Sequence, residues 1–318
     1  MVTVHNFSNG LLNPALGYTM SCIGAFLGLR CVILARAYRG LARAIWLSMA
    51  AVSIGATGIW AMHFIAMLGF SVPGQPILYN VPLTVGSMLL AVAVVGIGLF
   101  IVGFSDGGWP WLVAGGVIIG LGVAGMHYLG MAAMSMPGSM TYGLPLLALS
   151  TLIAIAAGTG VLWAGTRIRG IAATVAASLI TGAAIGAMHY AAMAALRVDA
   201  GPMPSMPSMP SMPVTSGTGM TAASGATGAA FLIPVLLIIG IATFLTTLTL
   251  SMSPTEDEIR ANSEMEHRMD YLQQRRGVQE AKRQGPAVPS GHDGYTDDGY
   301  AINGQAINGH SVGTAARG

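Results

Sequence analysis

The chain has 318 residues, 53% of them hydrophobic and only 8% charged, with a mean hydropathy of +0.66. A soluble domain carries about a quarter charged residues, so this composition identifies a membrane protein. The net charge of +2, with no basic patch interleaved with aromatics, excludes nucleic acid as a partner.

Of the 12 acidic residues only Asp106 and Asp199 precede Met252. The chain therefore divides into a membrane body, residues 1–252, and a hydrophilic tail, residues 253–318. Seven apolar runs in the body reach the ~20 residues that a helix needs to cross a bilayer. They are Ala15–Ala35, Ala44–Leu68, Leu83–Phe104, Trp111–Met134, Leu144–Gly165, Ile171–Leu196 and Ala229–Met252. All are rich in Gly and Ala, which let helix backbones approach closely in lipid. The fold class expected is an all-α bundle of seven transmembrane helices, in a multi-pass protein of the plasma membrane.

No Lys or Arg precedes the first run, so it is expected to remain as a span rather than act as a secretory leader. Arg30, Arg36, Arg39 and Arg43 follow its middle, and Arg167 and Arg169 separate runs five and six. Seven further basic residues lie in the tail, against Arg197 alone on the other side. The bias of basic residues toward the cytoplasm places the N-terminus outside and the tail inside. Cys22 and Cys31 in the first run suit packing in a helix better than a thiol metal site.

Runs two, four and six then point outward, and each carries one copy of a motif. Met62-His63-Phe64, Met126-His127-Tyr128 and Met188-His189-Tyr190 recur with histidines 64 and 62 residues apart, so the first six runs form three two-helix repeats. Each histidine is followed four residues later by a methionine, Met67, Met131 or Met193, on the same helix face. The preceding methionines project about 100° away. Counted at 1.5 Å per residue, the three imidazoles lie roughly 8–11 Å below the outer helix ends, in one layer.

Imidazole suits several first-row metals, and thioether sulfur narrows the choice toward copper, Cu(I) in particular. The spans lack Asp and Glu, so Mg, Ca and Mn find no hard ligands there. The metal-ligand set expected is Met62, His63, Met67, Met126, His127, Met131, Met188, His189 and Met193. Haem ranks below copper: His and Met are both axial ligands, but no c-type attachment motif is present. Histidine protonation without a metal would make a pH sensor. The sole lysine, Lys282, lies in the tail, which excludes a retinal receptor. No nucleophile, base and orienter fall together, which points away from an enzyme.

The outer segments Ser71–Pro82 and Ser135–Gly143 read as short loops with turn residues. The third, Arg197–Gly228, is long, and in it Met203 to Pro213 repeats Met-Pro-Ser, a pattern that stays extended. If that loop captured Cu(I), the alternative function would be copper acquisition or transfer. After Met252, Ser253-Pro254-Thr255-Glu256 is a helix start, and a short helix to about Arg276 precedes a disordered end.

Three correctly spaced copies of Met-His-aromatic on paired spans, with a seventh helix, resemble the MHYT domain, a bacterial integral membrane sensor module. The resemblance covers about Leu11 to Met252. It implies copper held by the Met and His positions near the outer face, and sensing of a diatomic gas (oxygen, carbon monoxide or nitric oxide) or redox state through it. This chain departs from the motif in its fourth letter, where Ile65, Leu129 and Ala191 replace Thr. Many members continue into output domains, whereas the tail here is short, so signalling is expected to use a cytoplasmic partner besides the lipid around the bundle.

Overall fold

A computed structural model describes residues 8, 10–72, 77–135, 139–199, 226–254 and 256–284. Among these residues, seven helices are long and apolar enough to cross a membrane: α1 (Leu12–Ala37), α2 (Gly40–Met67), α3 (Val81–Gly103), α4 (Trp109–Ala132), α5 (Leu144–Arg167), α6 (Ile171–Ala195) and α7 (Gly228–Ser251). The chain is a multi-pass, all-α membrane protein. Large apolar side chains such as Leu152, Ile180, Leu237 and Phe244 are exposed on the bundle exterior, where lipid solvates them. The Met-Pro-Ser repeat and the end of the tail lie outside the described residues.

The helices begin where the chain supplies starts. The Asn80 side chain accepts the Leu83 N–H at 3.1 Å, capping α3. Pro82, Pro110 and Pro145 sit in the first turns of α3, α4 and α5, where a missing N–H costs nothing.

Within the compact unit Met1–Ala261, helices α1 to α6 pack in chain order and α6 closes back on α1. The odd-numbered helices also touch one another, so three helix pairs surround a common axis. Backbone bonds repeat with the same symmetry at the outer end. A residue just ahead of each odd helix meets the end of the following even helix: Ser8, four residues before α1, donates its N–H to Gly69 C=O at 3.0 Å, and Asn80 and Gly143, directly before α3 and α5, donate to Ala133 and Ala195 at 2.8 Å each.

Close approach depends on glycine at one crossing. Gly24 of α1 faces Gly58 of α2, and a Cβ on Gly24 would overlap the Gly58 backbone. The Ser21 hydroxyl donates to the Gly58 carbonyl at 2.9 Å in the same contact. There α2 departs from regular geometry, since Ser53–Trp60 is a π-helical segment directly before the first motif. Helix α7 packs against this segment, and Thr57 and Thr243 hydroxyls meet at 3.0 Å. Thr243 already donates to the Ile239 carbonyl, so Thr57 is the donor between the helices.

The outer segments expected as plain loops contain short strands. Leu78–Tyr79 (β1) pairs antiparallel with Met134–Ser135 (β2) and with Ala226–Thr227 (β5). Ser139–Tyr142 (β3) pairs antiparallel with Leu196–Asp199 (β4), from Ser139 opposite Asp199 to Tyr142 opposite Leu196. These ladders satisfy backbone groups beside the membrane. They also link the segments that follow α2, α4 and α6.

In the tail, helix α8 spans Glu256–Gln284 and is polar, running past the end near Arg276 that the sequence suggests. The second compact unit is Asn262–Gly318.

Candidate metal centre

Each even helix carries its histidine near its outer end, on the side that faces the other two motifs. His63, His127 and His189 are 1%, 1% and 2% exposed. Their three ring centroids stand 4.8, 5.1 and 5.2 Å apart, with interplanar angles of 78°, 78° and 79°. Near-equal sides and angles make a three-bladed propeller, as the repeat symmetry demands.

The δ nitrogens face inward. His63 Nδ1 lies 3.1 Å from Nδ1 of His189 and 3.1 Å from Nδ1 of His127. A neutral imidazole nitrogen is either donor or acceptor. One Nδ1 facing two others is therefore incompletely served by hydrogen bonds alone. On the outer side of the rings, Nε2 of His63 and of His127 are buried without a hydrogen-bond partner among the described residues. A metal at the centre would take three Nδ1 lone pairs and fix all three rings as the Nε2–H tautomer. Trigonal coordination at ~2.0 Å per bond sets nitrogens about 3.5 Å apart, within a few tenths of an ångström of the spacing found. The three histidines form a buried group that could hold a metal ion.

The six methionines around the motif, Met62, Met67, Met126, Met131, Met188 and Met193, are all buried. Met62 packs on α1, where a Cβ at Gly17 would lie 3.3 Å from its Cγ. Met188 lines an internal cavity with Ile185 and Val123. The structure thus brings the three histidines together and gives the methionines the surrounding apolar volume.

The aromatic letter of each motif stands edge-on to its own histidine, with centroids at 4.8 Å for Phe64, 5.1 Å for Tyr128 and 4.9 Å for Tyr190. Further aromatics come from the outer strands. Tyr79 of β1 packs on Phe64 at 6.1 Å, and Tyr142 of β3 packs on Tyr128 at 5.1 Å. Burial pushes the Tyr79 phenol up to about 12, and the Tyr142 phenol is also raised, first by burial and then by Tyr128. Trp60 packs on Phe64 at 4.5 Å and donates to the Ser87 hydroxyl at 3.0 Å, tying α2 to α3.

Gly130 is a site residue that the sequence reading missed. A Cβ there would lie 2.6 Å from His63 Nε2 and 3.2 Å from its Cδ2, so this glycine of α4 makes room for the histidine of α2. Its position three residues after His127 is a signal only once the helices are paired. Tyr79 and Tyr142 were equally hidden, because their partners belong to other segments.

Comparison with known proteins matches residues 57–115 and 120–178 to the family described as MHYT, bacterial signalling protein N terminal repeat. These stretches contain the motifs at His63 and His127, and the third motif follows them. The chain is 40% identical over 161 residues to the bifunctional diguanylate cyclase/cyclic di-GMP phosphodiesterase MucR of Pseudomonas aeruginosa, covering 49% of this chain and 23% of that protein. It is 36% identical over 189 residues to the cyclic di-GMP phosphodiesterase NbdA of the same organism, covering 57% and 24%. An uncharacterized signaling protein of Caulobacter vibrioides is 31% identical over 179 residues, covering 55% and 21%. The chain thus spans about a quarter or less of the length of these relatives. No solved structure matches it.

Proposed function

Since this chain belongs to the MHYT family, we propose that it is a membrane sensor that holds copper in the three-histidine site near the outer face and responds through it to a diatomic gas or to redox state. The observation that carries this reading is the convergence of three buried imidazoles on one axis, each supplied by a separate repeat. Neutral nitrogen donors with thioethers close by and no carboxylate among them favour a soft ion. Bound copper would supply a one-electron couple and an open coordination position for oxygen, carbon monoxide or nitric oxide. The chain's own residues set the limits of that chemistry. The three imidazoles would hold the ion, the flanking Phe64 and Tyr128 stand edge-on to their histidine rings, and Tyr79 and Tyr142 cover the outer side.

A change in the His63 ring acts first on α2, whose π-helical segment is the surface on which α7 rests through Thr57 and Thr243. π-helical segments cost hydrogen-bond geometry and recur at functional sites. The signal leaves through the cytoplasmic side to a partner. Because the two Pseudomonas relatives are named for cyclic di-GMP turnover, a protein of that pathway is the partner to test first.

The test is Cu(I) titration of purified protein against a competing chelator, beside the variant H63A/H127A/H189A. Retention of about one copper per chain by the wild type, lost in the variant, is the expected result. Wild-type protein that retains no copper after Cu(I) reconstitution overturns the proposal.

A further inference from the structure

Between the histidine layer and the inner half of the bundle lies a narrow apolar cavity, with about 20 Å³ of room for the centre of a water-sized sphere. Ile119 and Val123 of α4, Ala154 and Ala157 of α5, and Ile185 and Met188 of α6 line it. Met188 precedes His189 in the chain, so the cavity adjoins the metal-ligating layer from below. One water needs roughly 10–15 Å³ on this measure and two or more polar partners. The space is sufficient for one water-sized molecule, but among the described residues Thr181 carries the only hydroxyl on its wall. Apolar cavities of this kind favour small apolar guests over water.

A second feature points to how such a guest arrives. On the outside of the bundle, α5 and α6 leave a groove of about 530 Å³ lined by small residues, including Ala156, Gly160, Ala173 and Ala177. Trp163 and Ile180 stand at its edges and are 48% and 71% exposed, on a surface that lipid covers. Ala157 and Thr181 line both the groove and the internal cavity. Two small side chains are therefore the shared wall between the bilayer and the space under the histidines.

We propose that the cavity is a docking site for a dissolved diatomic gas, which enters laterally from the bilayer through the α5–α6 groove past Ala157 and Thr181. Apolar gases concentrate in the hydrocarbon core for the same reason that apolar surface leaves water. A lateral route also bypasses the outer side of the site, where Tyr79 and Phe64 are 4% and 0% exposed. This inference rests on the sensor reading for its purpose, whereas the site itself is testable without metal.

The experiment uses the full-length, metal-free chain in lipid nanodiscs with methyl-labelled Ile, Leu and Val under dioxygen pressure. Paramagnetic relaxation of the Ile119, Val123 and Ile185 methyls is expected to exceed several-fold that of Leu29 and Leu34, which are buried but do not line the cavity. The excess is expected to vanish in Ala154→Leu, which fills the cavity, and to fall in Ala157→Leu, which blocks the wall. Equal relaxation at both sets of methyls in the wild type overturns the site whether or not either variant folds. Dioxygen in the cavity of a chain that binds no copper leaves the site standing and overturns the sensor reading instead. In copper-loaded protein, A157L is expected to slow carbon monoxide association several-fold at unchanged equilibrium affinity, and an unchanged rate overturns the lateral route.

Discussion

Substituting Gly130→Ala separates the geometry of the site from its ligand inventory, because it removes no donor. The added Cβ would lie 2.6 Å from His63 Nε2, and ordinary contact begins at 3.4 Å, so the ring must retreat by about 0.8 Å or the helices must part. His63 is also held edge-on by Phe64 and faces both other imidazoles at 3.1 Å, which leaves its ring little freedom to retreat while keeping Nδ1 in place. Forcing the side chain off its rotamer costs ~0.5–1.5 kcal/mol, and overpacking a buried site costs ~1–3 kcal/mol. Displacing one ligand's support weakens metal binding by about 10- to 100-fold. The control is Gly125→Ala on the same helix, whose Cβ would meet only the Leu90 Cδ2 at 3.9 Å. Helix propensity alone makes that change stabilising by ~0.5–1 kcal/mol. Cu(I) affinity by chelator competition, with thermal unfolding in the same detergent, is the assay. Wild-type copper affinity in G130A would refute the assignment of Gly130 as the clearance for His63.

The remaining predictions address other parts of the bundle. His127→Ala removes a donor outright, so copper affinity should fall by more than the ~10–100-fold that a supporting residue costs, and chelator competition would reveal it. Thr57→Val removes the hydroxyl bond to Thr243 and should cost about 0.6 kcal/mol, a usual value for a bond between membrane helices. A double-mutant cycle with Thr243→Val in reversible denaturant unfolding should give a coupling of that size, and a coupling of zero would remove Thr57 from the α2–α7 contact. Tyr79, pushed up to about 12 by burial from the ordinary phenol value of 10.0, stays protonated in the folded state after the unfolded chain has begun to ionise. Its contribution to stability is therefore complete below pH 10, falls as pH rises from 10 to about 12, and levels off beyond. The loss is at most ~1.4 kcal/mol per pH unit crossed, and Tyr79→Phe should flatten the alkaline limb of a stability profile.

Hydrophobic runs made the seven spans legible, to within a few residues, because lipid demands that every buried backbone group be satisfied inside a helix. The starts at Val81 and Trp109 precede the expected ones at Leu83 and Trp111, since Pro82 and Pro110 are first-turn residues rather than breaks. Helix α8 outlasts its expected end near Arg276 for a related reason: Gly277 costs only ~1 kcal/mol in a helix, and Val278 to Gln284 are mostly good helix formers. The histidines could be recognised by repetition and their shared depth by counting residues. The π-helical segment at Ser53–Trp60 could not, because it depends on how α1, α3 and α7 press on α2. Gly130 was invisible for the same reason, reading as one more small packing residue among many. The strands β1 to β5 follow from partners in distant segments, as ladders of two to four residues are too short for a periodicity to betray them.

The internal axis also weighs the sensor against the passage of copper across the membrane. A path for a cation needs polar donors at successive depths, whereas the cavity described below the histidines is small and walled by Ile119, Val123 and Ile185. Further in, at the arginine-bearing end, a cavity of about 240 Å³ opens among the inner ends of α1, α2, α3 and α5. Arg36 and Arg43 line it beside Asp106. Arg43 is committed to structure, its Nε donating to the Ala35 and Tyr38 carbonyls and its Nη1 to Gly103 at 3.0 Å, so it ties the end of α1 to the end of α3. Two guanidinium groups against one carboxylate leave that exit net positive, which opposes a departing metal ion. An ion held at the outer layer therefore meets an apolar barrier and then a repulsive mouth. Both obstacles suit a site that keeps its metal and exchanges only a small apolar ligand.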